Sequence, residues 1–327
     1  MRCTSPRTVG FESDGKTICW SPKKHSKEYA TFQLPCGHCI ECRLDYARQW
    51  AVRCVHEAQM HEENCFVTLT YSDENLKNPK LVYADFQLFM KRLRASRPNV
   101  MASDIITRRE FVTNPIGMFV TGEYGEHTKR PHWHAIIFNW SPDDLKYFRT
   151  NDRGDKIYKS GTLEKLWGLG HCELGSVTFE SAGYCARYAA KKLVHGKDGE
   201  HGYEPISKKS SKHAIGKKWL ERFWPDVFAS GAAGKIRLRD GSECGVPRYY
   251  EKWLKDNRPE AWERYVTDRK LAIISENQRR SEEEHKQWVE DLHRRLNLGR
   301  SRPLTKSEIR EKIQKEKFKQ LQNYLKL

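Results

Sequence analysis

Arg130-Pro131-His132-Trp133-His134-Ala135-Ile136-Ile137-Phe138 opens on a turn-forming pair and closes in an unbroken apolar run. Branched and aromatic residues dominate it, a composition that favours an extended strand. Side chains two apart on a strand share a face. His132 and His134 therefore stand side by side, while Trp133 and Ala135 point the other way. Two imidazoles at that spacing suit one divalent ion. Thirteen histidines in 327 residues give about 0.5 such pairs by chance, so the neighbouring sequence must carry the argument.

Immediately before it, Met118-Phe119-Val120-Thr121-Gly122-Glu123-Tyr124 reads as a partner strand, with Gly125–Arg130 as the hairpin loop between them. Glu123 then lies across the hairpin beside the histidine pair. Two imidazoles and a carboxylate leave positions open on Mg²⁺ or Mn²⁺ for a phosphate oxygen and water. Glu126 is the rival carboxylate, although its place in the loop reads more simply as a solvated charge.

Further out, apolar positions at spacings of three and four predict a helix from Leu44 to His61 and another through Phe86, Phe89, Met90 and Leu93. Cys65–Tyr71 is dense in β-formers and predicts a strand. Ser141-Pro142-Asp143-Asp144 has the composition of a helix start. A short helix is expected at Leu163–Trp167, a strand at Ser176–Glu180 and a helix over Ala182–Val194. Helices interrupting hairpin-joined strands predict an α+β fold: an antiparallel sheet with flanking helices, the histidines on a central strand. In the last of these helices Tyr184 and Tyr188 are four apart and share a face. Lys191 and Lys192 follow them and suit the neighbourhood of a polyanion.

Cys36-x-x-Cys39-x-x-Cys42 near the N-terminus has the spacing of thiolates around one tetrahedral Zn²⁺. Cys3 is the candidate fourth ligand, with Cys19 and His38 behind it. Cys54, Cys65, Cys172, Cys185 and Cys244 are scattered and read as buried or incidental. No secretory signal precedes them and no apolar stretch could span a bilayer. The expected setting is a reducing cytoplasm without a membrane partner.

A formal charge of +16, together with the aromatic content, agrees with a nucleic-acid footprint. Residues 197–218 read as a mobile basic loop, and an aromatic cluster follows at Trp219, Phe223, Trp224 and Phe228. Beyond Asn257 the chain is charged and helical in pattern, with a capping box at Thr305 and Glu308 after a break at Arg302-Pro303. The expected division is a cysteine-rich segment over 1–43, a core domain over 44–196, a basic and aromatic extension over 197–254, and a charged helical tail over 255–327.

Taken together, the Phe66–Tyr71 strand, the His-x-His strand and the Tyr-x-x-x-Tyr-x-x-Lys helix occur in an order that resembles the HUH endonuclease superfamily. Leu34-Pro35-Cys36-Gly37-His38-Cys39, Arg48-Gln49-Trp50, Gly122-Glu123-Tyr124-Gly125-Glu126 and Arg130-Pro131-His132-Trp133-His134 are similar to the replication initiators of small single-stranded DNA bacteriophages, the microviruses. Ile215-Gly216-Lys217 and Pro247-Arg248-Tyr249-Tyr250 fit more loosely. The resemblance covers about residues 1–254.

It implies that residues 44–196 form a nicking domain, that His132, His134 and Glu123 hold the catalytic ion, and that Tyr184 or Tyr188 attacks single-stranded DNA at a replication origin to leave a 5′-phosphotyrosyl link. Lys191 and Lys192 would aid the phenolate. No phosphate-binding Gly-x-x-x-x-Gly-Lys-Ser/Thr loop is present, so strand separation and synthesis would fall to a host helicase and polymerase. A transposase or relaxase would share this chemistry. A non-enzymatic, zinc-stabilised nucleic-acid-binding protein would share only the charge and the cysteines.

Overall fold

The structure, a computed structural model, describes residues 3–15, 17–103, 110–125, 128–152, 154–191, 206–211, 214–229, 234–238 and 241–325. The chain divides into two compact units, Met1–Tyr46 with Trp262–Leu327, and Ala47–Ala261.

In the first unit β1 (Arg7–Phe11), β2 (Ile18–Cys19) and β3 (Phe32–Leu34) form an antiparallel sheet in the order β2-β1-β3. Helix α1 (Ile40–Ala58) follows, and the unit boundary falls within it.

The second unit is built, among the described residues, on a seven-stranded antiparallel sheet. Its strands are β4 (Asn64–Thr70), β7 (Gly117–Tyr124), β8 (Pro131–Phe138), β9 (Lys146–Thr150), β10 (Lys156–Lys159), β11 (Cys172–Gly175) and β12 (Ile206–Lys209), in the order β12-β7-β8-β4-β11-β10-β9. Small hairpins, β5 (Met101–Ser103) with β6 (Glu110–Val112) and β13 (Lys235–Arg237) with β14 (Glu243–Gly245), lie outside this sheet. The helices of this unit are α2 (Tyr83–Ala95), α3 (Gly161–Trp167), α4 (Phe179–Lys191), α5 (Lys217–Phe228) and α6 (Arg248–Asn257). After α7 (Pro259–Tyr265), α8 (Leu271–Asn297) and α9 (Lys306–Leu325) complete the first unit. Thr305 and Glu308 make the reciprocal cap expected at the start of α9, through Thr305 N–H to Glu308 Oε2 at 2.8 Å and Glu308 N–H to Thr305 Oγ1 at 3.1 Å.

Alternation along the strands divides the main sheet into two faces. Val67 and Leu69 of β4, Val120 of β7, and Trp133, Ala135 and Ile137 of β8 point to one side, where Phe86, Phe89, Met90 and Leu93 of α2 and Leu163 and Trp167 of α3 cover them. Burying each large apolar side chain contributes about 1.5–3 kcal/mol. The fit on this side is close: a Cβ on Gly122 would come within 2.8 Å of the Trp133 ring. The other face carries His132, His134, Ile136, Phe119 and Thr68 and lies under α1 and α4. Trp50 of α1 stacks on Phe119 with ring centroids 5.3 Å apart.

Three local expectations are corrected. Ser141-Pro142-Asp143-Asp144 begins no helix. Asp144 instead accepts the Thr162 N–H at 2.8 Å and a hydrogen bond from the Ser160 hydroxyl, so it serves the start of α3, while Lys146–Thr150 pairs with β10. The strand expected at Ser176–Glu180 lies earlier, at Cys172–Gly175. Thr178 and Ser181 cap each other reciprocally, Thr178 N–H to Ser181 Oγ at 2.8 Å and Ser181 N–H to Thr178 Oγ1 at 3.1 Å, and so start α4. Within the expected loop 197–218, Ile206–Lys209 is the edge strand beside β7; residues 197–205 lie outside the described residues. Among the described residues no helix is long and apolar enough to cross a membrane.

Candidate active site

Strand register sets the site. Antiparallel pairing of β7 with β8 places Glu123 opposite His132 and Thr121 opposite His134. Pairing of β4 with β8 places Thr68 opposite His134 on the other side. Directly paired residues point to the same face, so the hairpin read from the sequence delivers a carboxylate and two imidazoles to one spot. Their ligand atoms lie within 4.8 Å of one another.

Glu123 Oε1 is the hub. It lies 3.0 Å from His132 Nε2, 2.6 Å from His134 Nε2 and 3.0 Å from the hydroxyl of Tyr184, which donates to it. The Tyr184 oxygen is also 3.5 Å from His134 Nε2, and the two rings meet edge to face at 5.0 Å. Side-chain exposure is 18% for His132 but 8% for His134 and 10% for Glu123, so the site opens to solvent on the His132 side.

Burial of Glu123 works to raise its carboxyl, but the charge of His134 and hydrogen bonds from both imidazoles outweigh it and hold the group well below the usual carboxylate range. Its second oxygen, Oε2, is buried without a hydrogen-bond partner among the described residues, as is Thr121 Oγ1. An orphaned carboxylate oxygen beside two convergent imidazoles fits a divalent cation: the donors are those a hard or borderline ion takes, and a buried anion without such company is costly.

Thr68 and Phe66 complete the site, and sequence reading assigned no role to either. Thr68 Oγ1 is 3.0 Å from His134 Nδ1. With the ring proton on Nδ1, Thr68 accepts it and Nε2 presents a lone pair toward Glu123, the tautomer a metal ligand needs. Phe66 lies parallel to the His134 ring at 5.9 Å and edge-on to Tyr184 at 6.3 Å, fixing both orientations. Their signal in the sequence was positional: both alternate onto the histidine face of β4, which becomes visible once the register is known.

Tyr184 is thus brought to the histidine pair by α4. Tyr188 and Lys191 lie on the same helix, but their side chains are outside the described residues, as are all of Lys192 and Glu126. Tyr188 and Lys191 follow Tyr184 at the spacing of one helical face.

The other candidate donor set lies in the first unit. The sulfurs of Cys3, Cys36, Cys39 and Cys42 lie within 4.8 Å of one another, a cluster compatible with a metal. Burial works to raise the Cys39 thiol, but N–H groups of Cys42 and Thr4 offset it and bring it down to about 6. Burial and the neighbouring sulfurs of Cys39 and Cys3 push the Cys42 thiol up. Of the alternative ligands, Cys19 is buried and donates to the Ser21 carbonyl at 3.5 Å, and His38 contributes its backbone N–H to Cys36 Sγ at 3.4 Å. Cys54, Cys65, Cys172, Cys185 and Cys244 are all buried.

A family model for replication-associated proteins of the ORF2 type matches residues 64–193, the stretch that holds the site on β7, β8 and α4. The chain is 44% identical to the replication-associated protein VP4 of Bdellovibrio phage phiMH2K over the whole of both chains. It is 32% identical to the replication-associated protein ORF4 of Chlamydia phage 1, over 71% of this chain and 56% of that one. To the replication-associated protein ORF2 of Spiroplasma virus 4 it is 28% identical, over 81% and 82% respectively. No solved structure matches the chain. The chain belongs to the replication-associated proteins of small single-stranded DNA phages.

Proposed function

We propose that this chain starts rolling-circle replication as a metal-dependent, single-strand-specific DNA endonuclease and ligase of the HUH type, with Tyr184 as the nucleophile. The observation that carries the reading is the convergence of the Tyr184 hydroxyl and both imidazole Nε2 atoms on Glu123 Oε1. The nicking chemistry is assigned to residues 44–196, and the substrate is single-stranded DNA at an origin.

His132, His134 and Glu123 would hold Mg²⁺ or Mn²⁺, which polarises a phosphate oxygen and stabilises the charge that develops there. Everything else falls to the chain's own groups. Glu123 accepts a hydrogen bond from the Tyr184 hydroxyl and so fixes where its oxygen stands. A free phenol has a pKa of about 10, and the lysines after Tyr188 supply positive charge that favours the phenolate. Attack forms the Tyr184 O–P bond and breaks the P–O3′ bond, so the free strand ends in a 3′-hydroxyl and the other end stays on the protein. The ester conserves the phosphodiester, so a later 3′-hydroxyl can reverse the step and close a circle. Tyr188, one turn further on, is placed to make the second cut while Tyr184 is occupied. Unwinding and synthesis then belong to the host's helicase and polymerase.

The test uses single-stranded oligonucleotides tiling the genome that encodes the chain, with Mn²⁺ or Mg²⁺. A covalent protein–DNA adduct that survives denaturing electrophoresis is expected, with Tyr184→Phe lowering its rate by about a hundredfold or more. Undiminished adduct in the Tyr184→Phe, Tyr188→Phe double variant would remove the phenols from the chemistry.

A further inference from the structure

Outside the proposed nicking site, the most concentrated set of metal-binding groups is the thiol cluster. Three separate stretches of chain build it. Antiparallel pairing of β1 with β3 runs to Arg7 opposite Leu34. Continuing outward from that pair, the chain before β1 and the chain after β3 arrive together, which brings Cys3 to Cys36. The Cys36 N–H donates to Cys3 Sγ at 3.2 Å.

Between Cys36 and Cys39 the chain turns through Gly37 at φ +78°, a conformation that favours glycine. The turn aims two backbone donors at one sulfur, the N–H of His38 at 3.4 Å and that of Cys39 at 3.2 Å from Cys36 Sγ. Finally the Cys39 carbonyl accepts the Arg43 N–H at 3.1 Å, which starts α1 and carries Cys42 back over the cluster. Cys3 and Cys39 sulfurs end 3.8 Å apart.

We propose that Cys3, Cys36, Cys39 and Cys42 bind one structural Zn²⁺ as thiolates, at a site separate in position and in chemistry from the nicking centre. An all-sulfur, closed tetrahedral set is the donor pattern of structural zinc, and it leaves no open position for substrate. Backbone N–H groups directed at the sulfurs lower the cost of concentrating thiolate charge. Soft sulfur ligands also discriminate against Mg²⁺, which takes oxygen. Binding displaces the thiol protons as each Zn–S bond forms. The role that follows is anchorage. A three-stranded sheet of short strands is small for independent stability, and the ion ties its two open ends to the first turn of α1.

The experiment is metal analysis of the purified full chain under reducing conditions, after dialysis against EDTA to strip loosely held ions. One zinc per chain is expected, with loss to background in Cys39→Ser and in Cys36→Ser. Since either variant could unfold, the unaltered chain is also loaded with Co²⁺ after zinc release by an organomercurial. Intense visible absorption of tetrahedral cobalt, with a sulfur-to-cobalt charge-transfer band, is expected. Background zinc in the unaltered chain together with weak octahedral cobalt absorption would overturn the site, as would full zinc retention in Cys39→Ser. Glu123→Gln separates this proposal from the nicking reading, for it should abolish adduct formation while the zinc content stays at one per chain.

Discussion

Thr68 shows how a residue that touches no substrate governs the site. Its hydroxyl reaches His134 Nδ1 at 3.0 Å, and His134 Nε2 lies 2.6 Å from Glu123. Which ring nitrogen carries the proton therefore depends on Thr68, because an acceptor at Nδ1 keeps a lone pair on Nε2. Thr68→Val keeps the branched shape and strand preference and removes only the acceptor. Loss of such a supporting hydrogen bond to a metal ligand costs about 10- to 100-fold in metal affinity or activity. The expected result is a shift of the Mn²⁺ concentration for half-maximal adduct formation to higher values by that factor, with little change in thermal stability. An unchanged Mn²⁺ dependence would show that His134 needs no help in choosing its tautomer. His132 and His134 themselves were legible from spacing alone. Thr68 and Phe66 were not, since nothing in a single sequence says which residue of β4 faces which residue of β8.

At the level of elements, three helices of the second unit meet around a buried histidine. His56 of α1 stacks on Trp219 of α5 at 3.5 Å and on Tyr250 of α6 at 5.8 Å, and its Nδ1 lies 2.9 Å from the Tyr250 hydroxyl. Burial pushes its pKa down to about 3, against about 6.5 in the unfolded chain. As the pH falls from about 6.5 toward 3, the unfolded chain takes up a proton that the folded chain refuses. Stability therefore drops across that window, by up to about 1.4 kcal/mol per pH unit from this one group. Urea unfolding at several pH values is expected to show a shallower acid-side loss for His56→Gln than for the unaltered chain. Parallel curves would mean that His56 protonates in place. Elements were well read from sequence where periodicity was strong, as in α2 and the β7–β8 hairpin. They were misread where polar residues served a distant partner. Asp144 looks like the start of its own helix, yet its carboxylate is taken by Ser160 and Thr162. Thr178 and Ser181 look like strand residues until each is seen to cap the other. Ile206–Lys209 gains its strand geometry only from the open edge of β7.

For the whole molecule, the decisive quantity is charge. A formal +16 on 327 residues does not distinguish a nucleic-acid surface from a soluble one, because exposed ion pairs consume part of it. Arg279, Arg280 and Arg295 of α8 are paired with Glu276, Glu283 and Asp291 on the same helix. Other cations are held against rings instead. Lys209 at the β12 edge lies 4.1 Å from the Trp50 ring, and the Arg53 guanidinium sits 4.2 Å from Trp50 and 4.1 Å from Tyr249. Register puts Lys209 opposite Phe119, on the face of the sheet that carries His132 and His134. If the proposed function holds, single-stranded DNA that reaches Tyr184 passes over this face, and its phosphates displace counterions there. Contact with about six phosphates gives a slope of log K against log salt near −4, a loss of two to three decades between about 50 and 200 mM. Neutralising the exposed pair Lys208 and Lys209 to Gln is expected to lower the magnitude of that slope by about 1 to 1.5, with binding weakened uniformly across sequences. Fluorescence anisotropy on a labelled oligonucleotide, read across a salt series, measures both. A flat salt dependence in the unaltered chain would make the +16 a solubility feature and leave the sheet face without a strand to bind.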